Sequence, residues 1–174
     1  MAAKGVTFKG NPLTLVGTRP KAGDKAPDFV ALGNTLTEKR LKDFRGKVKI
    51  ISVTPSLDTG VCDAQARKFN AEAAGLGDGA AIINMSMDLP FASGRFCSSA
   101  GIDRVQTLSD HRDASFGTAY GVLVKELRLL ARAVFVIGAD DVIRHVEVVP
   151  EMTDPVDFKK ALDAAKGLLG ARSC

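Results

Sequence analysis

The feature that most constrains the fold is an apolar run that passes through a proline loop directly into a helical pattern. Residues Val48–Val53 are mostly apolar and β-branched, like a buried strand, and Pro55 ends that strand. From Cys62 onward, apolar residues recur at spacings of 4, 3, 4 and 3, at Ala66, Phe69, Ala73 and Leu76. This spacing forms one continuous helical face. The sequence therefore predicts a strand–loop–helix unit in which Cys62 begins the core-facing side of the helix.

The remaining patterns extend this unit into an α/β chain. Strands at residues 6–9 and 13–16 flank Gly10-Asn11-Pro12 and predict an N-terminal β-hairpin. The further predicted strands are 29–32, Ala80–Ser86, 105–108, 132–137 and 142–148, and the further helices are 91–99, 115–120 and a last one capped by Asp154-Pro155 and ending at Leu169. This order predicts a mixed sheet with helices on both faces. We expect one domain over residues 1–174, with residues 1–17 as a hairpin extension.

Charge and cysteine content exclude several classes of protein. The net charge is only +4, and the densest basic stretch, which consists of Lys39, Arg40, Lys42, Arg45, Lys47 and Lys49, contains Phe44 as its only aromatic residue. We interpret this stretch as a solvated face rather than a nucleic-acid site, with Phe44 facing inward.

No secretory segment is visible, and no apolar run approaches the ~18 residues that span a bilayer. Three cysteines are too few for a disulfide framework. We therefore expect a cytoplasmic protein, without membrane or nucleic-acid partners, whose cysteines are reduced and used chemically.

The loop before the predicted helix has the residue types of a reactive thiol site. Thr59 is placed to cap the helix, with its side-chain oxygen near the amide of Cys62, and Gly60 allows close approach of a substrate. The positive end of the helix favours a thiolate, which is the nucleophilic form of cysteine. An isolated Cys62 is more typical of a buried, inert cysteine. The arrangement Pro55-x3-Thr59-x2-Cys62 favours the reactive interpretation instead, and a second cysteine, Cys97, suggests a site that cycles through a disulfide.

Several longer strings follow one another along the chain: Phe8-Lys-Gly-Asn-Pro12, Thr54-Pro-Ser-Leu-Asp-Thr-Gly-Val-Cys62, Arg67-Lys-Phe-Asn70, Asp88-Leu-Pro-Phe-Ala92, Arg95-Phe-Cys97 and Ala131-Arg-Ala-Val134. Together they resemble the bacterial thiol peroxidases, an atypical two-cysteine branch of the peroxiredoxins. The resemblance covers essentially the whole chain. It implies a thioredoxin-like fold with an added N-terminal hairpin, and a homodimer.

The resemblance also assigns roles to residues. It implies reduction of hydrogen peroxide and organic hydroperoxides in antioxidant defence, with thioredoxin as the reductant. Cys62 would be the peroxidatic cysteine and Cys97 the resolving one, joined in an intramolecular disulfide. Pro55, Thr59 and Arg132 would bind the peroxide, and Thr59 and Arg132 would also stabilise charge during its reduction. Since a core-facing sulfur at a helix start does not meet disulfide geometry, we predict that the first turn after Thr59 and the helix around Cys97 rearrange on oxidation.

Two segments depart from the resemblance. Residues 125–130, Lys-Glu-Leu-Arg-Leu-Leu, replace the Gly-Pro-Leu turn of the family and are expected to border the substrate opening. Cys174 has no counterpart in the family. It is interpreted as an exposed thiol on a frayed end, with intermolecular disulfide formation as the alternative.

Other chemistries fit these residues less well. A zinc site lacks ligands because only His111 and His145 accompany the cysteines, and a thiol–disulfide oxidoreductase would normally have a Cys-x-x-Cys pair, which is absent. No cofactor is predicted. A non-enzymatic redox sensor or binding module that switches through Cys62 and Cys97 remains open, and peroxide turnover distinguishes it from an enzyme.

Overall fold

A seven-stranded mixed sheet forms the centre of the computed structural model, which describes residues 5–170. The strands are β1 (Val6–Phe8), β2 (Asn11–Leu13), β3 (Leu15–Val16), β4 (Ala31–Leu32), β5 (Glu38–Lys39), β6 (Val48–Val53), β7 (Ala80–Ser86), β8 (Val105–Ser109), β9 (Leu123–Val124), β10 (Leu129–Leu130), β11 (Ala133–Ile137) and β12 (Ile143–Val148). The helices are α1 (Gly60–Leu76), α2 (Pro90–Ala100), α3 (Ser115–Ala119) and α4 (Phe158–Gly170), with a 3-10 turn at Leu41–Phe44. Residues 1–4 of the predicted hairpin extension, and Cys174, lie outside the described residues.

The order of the strands places the two cysteine-bearing helices over neighbouring parts of one sheet. The order is β12-β11-β6-β7-β8-β4-β5, in which β6, β7 and β8 are parallel and the other pairings are antiparallel. The predicted mixed sheet is therefore confirmed. Within residues 5–170, no helix is both long and apolar enough to cross a membrane.

Two apolar layers cover the two faces of the sheet. One contains the aromatic cluster of Phe29, Phe116, Tyr120 and Phe135, in which the rings of Phe116 and Tyr120 stack with centroids 4.3 Å apart. The other contains Phe69 of α1 together with apolar side chains of α4. Because both faces are covered, every residue of β6 is buried, as in other parallel strands with helices on each side.

The N-terminal hairpin is tighter than the sequence pattern predicts. Lys9 and Gly10 both have positive φ, 49° and 79°, which is the geometry of a two-residue hairpin turn. The turn therefore comes earlier than expected, and β2 begins at Asn11 and pairs with β1. The prediction of one strand over residues 13–16 is wrong, because Leu15 and Val16 leave the hairpin and pair with β9.

Two other local predictions are also corrected. Helix α4 begins at Phe158 rather than at Asp154-Pro155, because the carboxylate of Asp157 accepts a hydrogen bond from the amide of Lys160 at 3.1 Å and so caps the first turn. Lys49, interpreted as part of a solvated basic face, is fully buried and pairs with Asp141. Phe44 faces inward, as predicted.

Glu151 anchors the N-terminal hairpin to the segment that follows β12. Its carboxylate accepts hydrogen bonds from the Thr7 hydroxyl at 2.7 Å, the Lys9 amide at 2.9 Å and the Gly10 amide at 3.0 Å. It also accepts one from the hydroxyl of Thr153 at 2.9 Å. The bond from Thr7, together with those from the Gly10 and Lys9 amides, lowers the pKa of Glu151 from 4.5 to about 2.

The anchoring by Glu151 predicts a specific pH dependence of stability. Because the pKa is depressed in the folded state, the stabilising effect is complete above pH 4.5 and is lost as the pH falls towards 2. We expect Glu151→Gln to have a lower thermal unfolding temperature than the parent at pH 7, and the difference to shrink progressively below pH 4.5. Equal unfolding temperatures at pH 7 would contradict the anchoring role of the charge.

Candidate functional site

Cys62 lies in the first turn of α1, with its side chain fully buried as the helical pattern predicts. Thr59 occupies the N-cap position with extended backbone, φ −104° and ψ 145°. Its hydroxyl does not cap the helix, however. It donates a hydrogen bond to the carbonyl of Ser56 at 2.9 Å, so the predicted bond to an amide near Cys62 is wrong. The local turn competes successfully for the hydroxyl. The amide of Asp63 in the first helical turn donates to the backbone carbonyl of Thr59 at 2.9 Å, and the Thr59 side chain accepts no bond from these amides.

Arg132, which immediately precedes β11, brings a positive charge to the sulfur. The residue is only 2% exposed, and its guanidinium makes three hydrogen bonds. Nη2 donates to Cys62 Sγ at 3.2 Å, Nη1 to Gln65 Oε1 at 2.9 Å, and Nε to the carbonyl of Met152 at 3.0 Å. An arginine stays protonated even when it is buried. The contact therefore places a fixed positive charge beside the Cys62 sulfur.

Gln65 is the main residue of the site that the sequence interpretation missed. Its Nε2 donates to the hydroxyl of Ser52 at 2.7 Å, while its Oε1 accepts from Arg132. Because a guanidinium only donates, the amide orientation is fixed by this pair of contacts. One signal in the sequence pointed to it. Gln65 lies three residues after Cys62, so the two side chains share one helical face, and the glutamine is a polar residue beside the apolar stripe.

A cavity of about 120 Å³ lies beside Arg132 and gives access to this end of α1. Its walls are formed by Phe8, Pro55, Thr59, Gly60, Val61, Arg132, Met152 and Thr153. The structure therefore brings together the three residues predicted to bind the substrate, Pro55, Thr59 and Arg132. The cavity is mostly apolar, with the arginine and threonine as polar groups in its wall, and the hairpin contributes Phe8.

The loop at 125–130 is not where the sequence interpretation placed it. Leu129 and Leu130 form β10, which pairs with β9, and the carboxylate of Glu126 accepts hydrogen bonds from the amide of Thr14 at 2.9 and 3.1 Å. None of its residues is in the wall of the cavity beside Arg132. The expectation that this loop borders the substrate opening is wrong, because its side chains are used to join the small sheet of β3, β9 and β10.

Cys97 lies on α2, partly buried, with its sulfur 3.6 Å from the hydroxyl of Thr107 on β8. That hydroxyl donates to Asn34 Oδ1 at 3.0 Å, so its oxygen is left to accept from the thiol. Both Cys62 and Cys97 are free thiols. The structure places them over different strands of the sheet and does not bring the two sulfur atoms together.

The hydrogen bonds of Arg132 predict how fast Cys62 reacts. We expect Arg132→Lys and Gln65→Ala each to slow the reaction of the Cys62 thiol with hydrogen peroxide by about tenfold, since a hydrogen bond to a charged group contributes ~1.5 kcal/mol. The lysine keeps the charge but cannot make three directed contacts. The measurement is the rate of oxidation of Cys62, followed by intact mass in a Cys97→Ser, Cys174→Ser background. Gln106→Ala, which changes an exposed glutamine on β8, serves as the control. Parental rates in both site variants would contradict the assignment.

Comparison with known proteins gives a consistent result over nearly the whole chain. Residues 21–164 match the Redoxin family. The thiol peroxidase of Halalkalibacterium halodurans is 59% identical over 164 residues, covering 94% of this chain and 98% of the relative. The thiol peroxidase of Bacillus subtilis is 57% identical with the same coverage.

Solved structures agree with the fold. A peroxiredoxin-like protein from Aquifex aeolicus superimposes with a TM-score of 0.89 at 41% identity, covering 95% of this chain and 98% of that structure. Thiol peroxidase from Chromobacterium violaceum has the same fold, with a TM-score of 0.84 at 21% identity and 98% coverage of both chains. These likenesses confirm the predicted thioredoxin-like fold with additional N-terminal strands. The chain therefore belongs to the Redoxin family and, within it, to the thiol peroxidases, which are peroxidase enzymes of the peroxiredoxin type.

Proposed function

We propose that Cys62 is the peroxidatic cysteine, and that it reduces hydrogen peroxide and organic hydroperoxides. The observation that carries the proposal is the 3.2 Å contact between Cys62 Sγ and Nη2 of Arg132, a residue that lines the cavity. The thiolate attacks one peroxide oxygen, and the O–O bond breaks. The other oxygen leaves with the bonding electrons and takes up a proton, as water or an alcohol. The sulfur is oxidised by two electrons to a sulfenic acid.

Arg132 and Thr59 are the groups proposed to assist this step. Negative charge moves from the sulfur to the departing oxygen, and the guanidinium fixed in the cavity wall stabilises the transition state more than the ground state. The single proton of the Thr59 hydroxyl is donated to the Ser56 carbonyl, so Thr59 would assist once that bond is exchanged for one to the peroxide. Pro55 shapes the same wall and supplies no competing amide donor. The apolar side chains of Phe8 and Met152 allow the carbon chain of an organic hydroperoxide to be accommodated.

Cys97 is proposed as the resolving cysteine. Its thiol attacks the sulfur of the sulfenic acid, an S–S bond forms, the S–O bond breaks, and the oxygen leaves as water with the proton of the Cys97 thiol. Gln65 ties the Cys62 end of α1 to Ser52 on β6, whereas Cys97 contacts Thr107 on β8. Two strand spacings, about 10 Å, separate β6 from β8, and a disulfide requires Cα atoms within about 7 Å. The first turn of α1 and the helix around Cys97 must therefore move.

The remaining features of the proposal concern partners and setting. Thioredoxin is proposed as the dithiol that returns two electrons to the Cys62–Cys97 disulfide, and the partial exposure of Cys97 makes it the sulfur proposed to exchange with thioredoxin. A homodimer is proposed, and Leu89 and Phe91, which are 53% and 69% exposed at the start of α2, offer an apolar surface for association. We also propose that residues 1–174 act as one domain in the cytoplasm.

The assigned roles of the cysteines predict distinct variant phenotypes. We expect Cys62→Ser to abolish peroxide consumption with thioredoxin as reductant. Cys97→Ser should still consume about one equivalent of peroxide but turn over poorly, because the sulfenic acid cannot be resolved within the chain. Cys174→Ser is the control and should behave like the parent. Peroxide turnover in Cys62→Ser at the parental rate would refute the proposal.

Oxidation should also change the mass of the chain and the hydrogen exchange of its helices. After one equivalent of peroxide, we expect each chain to lose two hydrogens, with Cys62 linked to Cys97 in the peptide map. Hydrogen exchange should become faster in the first turn of α1 and in α2, while β6 and β7 stay protected. Reduced and oxidised crystal structures that superimpose through both helices would contradict the predicted movement.

A further inference from the structure

The carboxylate of Asp88 joins the loop that leads to Cys62 to the loop that leads to Cys97. Its Oδ1 accepts a hydrogen bond from the Ser56 hydroxyl at 2.7 Å, and its Oδ2 accepts one from the Leu57 amide at 2.8 Å. Oδ2 also accepts from the hydroxyl of Ser86 at 2.9 Å. Ser56 and Leu57 belong to the segment between β6 and α1, whereas Asp88 itself lies between β7 and α2, two residues before the helix begins at Pro90.

The position of Asp88 is itself fixed from two sides. Its amide donates to the hydroxyl of Ser86 at 3.2 Å, and its carbonyl accepts a hydrogen bond from the hydroxyl of Ser109 at the end of β8. The backbone of Asp88 is therefore attached to the ends of β7 and β8, and its carboxylate holds the Cys62 loop against them. Asp88 thus holds the loop through Ser56 and Leu57, before the helix begins, whereas Arg132 contacts Cys62 within the first turn of α1.

The bonds to Asp88 depend on its charge. Among residues 5–170, no lysine or arginine forms an ion pair with this carboxylate, so its negative charge is met by neutral hydroxyl and amide donors. Hydrogen bonds to an ionised acceptor are about twice as strong as neutral ones. The hydrogen bonds to Asp88 can nevertheless break one at a time, and no ion pair has to be separated. The carboxylate can therefore hold the Cys62 loop in place without preventing the loop from opening.

We propose that Asp88 is a positioning residue that holds the Cys62 loop in its closed conformation and thereby sets how readily the loop opens towards Cys97. The inference rests on the proposed roles of the two cysteines. In the closed conformation, the Cys62 thiolate reacts with peroxide. Once Cys62 is a sulfenic acid, opening of the loop leads to the disulfide and water.

The closed sulfenic acid has a second fate. A further hydroperoxide molecule transfers one oxygen to the sulfur, its O–O bond breaks, and it leaves as water or an alcohol, so that the sulfur becomes a sulfinic acid. Disulfide formation requires the loop to open, whereas this second oxidation requires it to stay closed. The strength of the Asp88 contact therefore determines the balance between the two products.

The proposal predicts opposite effects on the two oxidations. In Asp88→Ala, the first oxidation should be slower, because the closed conformation is less populated. Disulfide formation should be faster, and about tenfold more peroxide should be needed to convert half of the enzyme to the sulfinic acid, as expected for loss of a hydrogen bond to a charged group. Ser56→Ala removes one donor only and should shift the same quantities in the same directions by a smaller factor.

The experiment compares the parent, Asp88→Ala, Ser56→Ala and the control Glu126→Ala, which removes a carboxylate that holds the remote amide of Thr14. Rapid-mixing fluorescence and intact mass give the rate of each oxidation and the yield of the two-oxygen adduct across a peroxide series. Parental values in both Asp88→Ala and Ser56→Ala would overturn the proposal, as would greater sensitivity to sulfinic acid formation in either variant. If Asp88→Ala does not fold, Ser56→Ala decides alone. Failure of the proposed function would show differently, as absence of peroxide turnover in the parent.

Discussion

The rest of the site depends on the three hydrogen bonds that the buried guanidinium of Arg132 makes. A buried cation costs several kcal/mol unless its charge and its donors are compensated. Two of its partners, Gln65 Oε1 and the carbonyl of Met152, are neutral. Among residues 5–170 no carboxylate pairs with it, so the Cys62 sulfur is the contacting atom that can take a negative charge. The buried guanidinium thus places a positive charge beside the Cys62 sulfur, with no carboxylate to neutralise it within residues 5–170.

The same arginine couples the candidate site to the N-terminal hairpin. Its Nε is held by the carbonyl of Met152, and the neighbouring Glu151 holds Thr7 and the hairpin turn. The hairpin in turn places Phe8 in the cavity wall. One short segment after β12 thus fixes both the position of the charge and an apolar wall of the cavity. This explains how a two-stranded extension that lies outside the central sheet becomes part of the site.

The sequence predicted the parts of the fold that depend on local pattern and missed those that depend on distant partners. Val48–Val53 and Ala80–Ser86 have the predicted bounds because β-branched runs covered on both faces have few alternatives. Lys49 was misplaced because its partner, Asp141, lies in a hairpin 92 residues away. Gln65 was overlooked for a related reason, since only the fold shows that it contacts Arg132. Arg132 itself was found through resemblance, because no periodicity distinguishes it from an exposed residue at a strand end.

The layer beneath the two cysteines explains why movement can stay local. Ser52, Asn84 and Thr107 are paired in register across β6, β7 and β8, so their side chains form one buried polar row on the same face of the sheet. Gln65 bonds to one end of the row, and Cys97 contacts the other. Unwinding the first turn of α1 breaks hydrogen bonds over this row, which water can replace. On α2, Phe96 and Cys97 also pack against the apolar layer that contains Phe69. Unwinding α1 near Phe69 would expose a fully buried ring. The fold thus permits opening at the reactive end of α1 while its apolar middle stays packed.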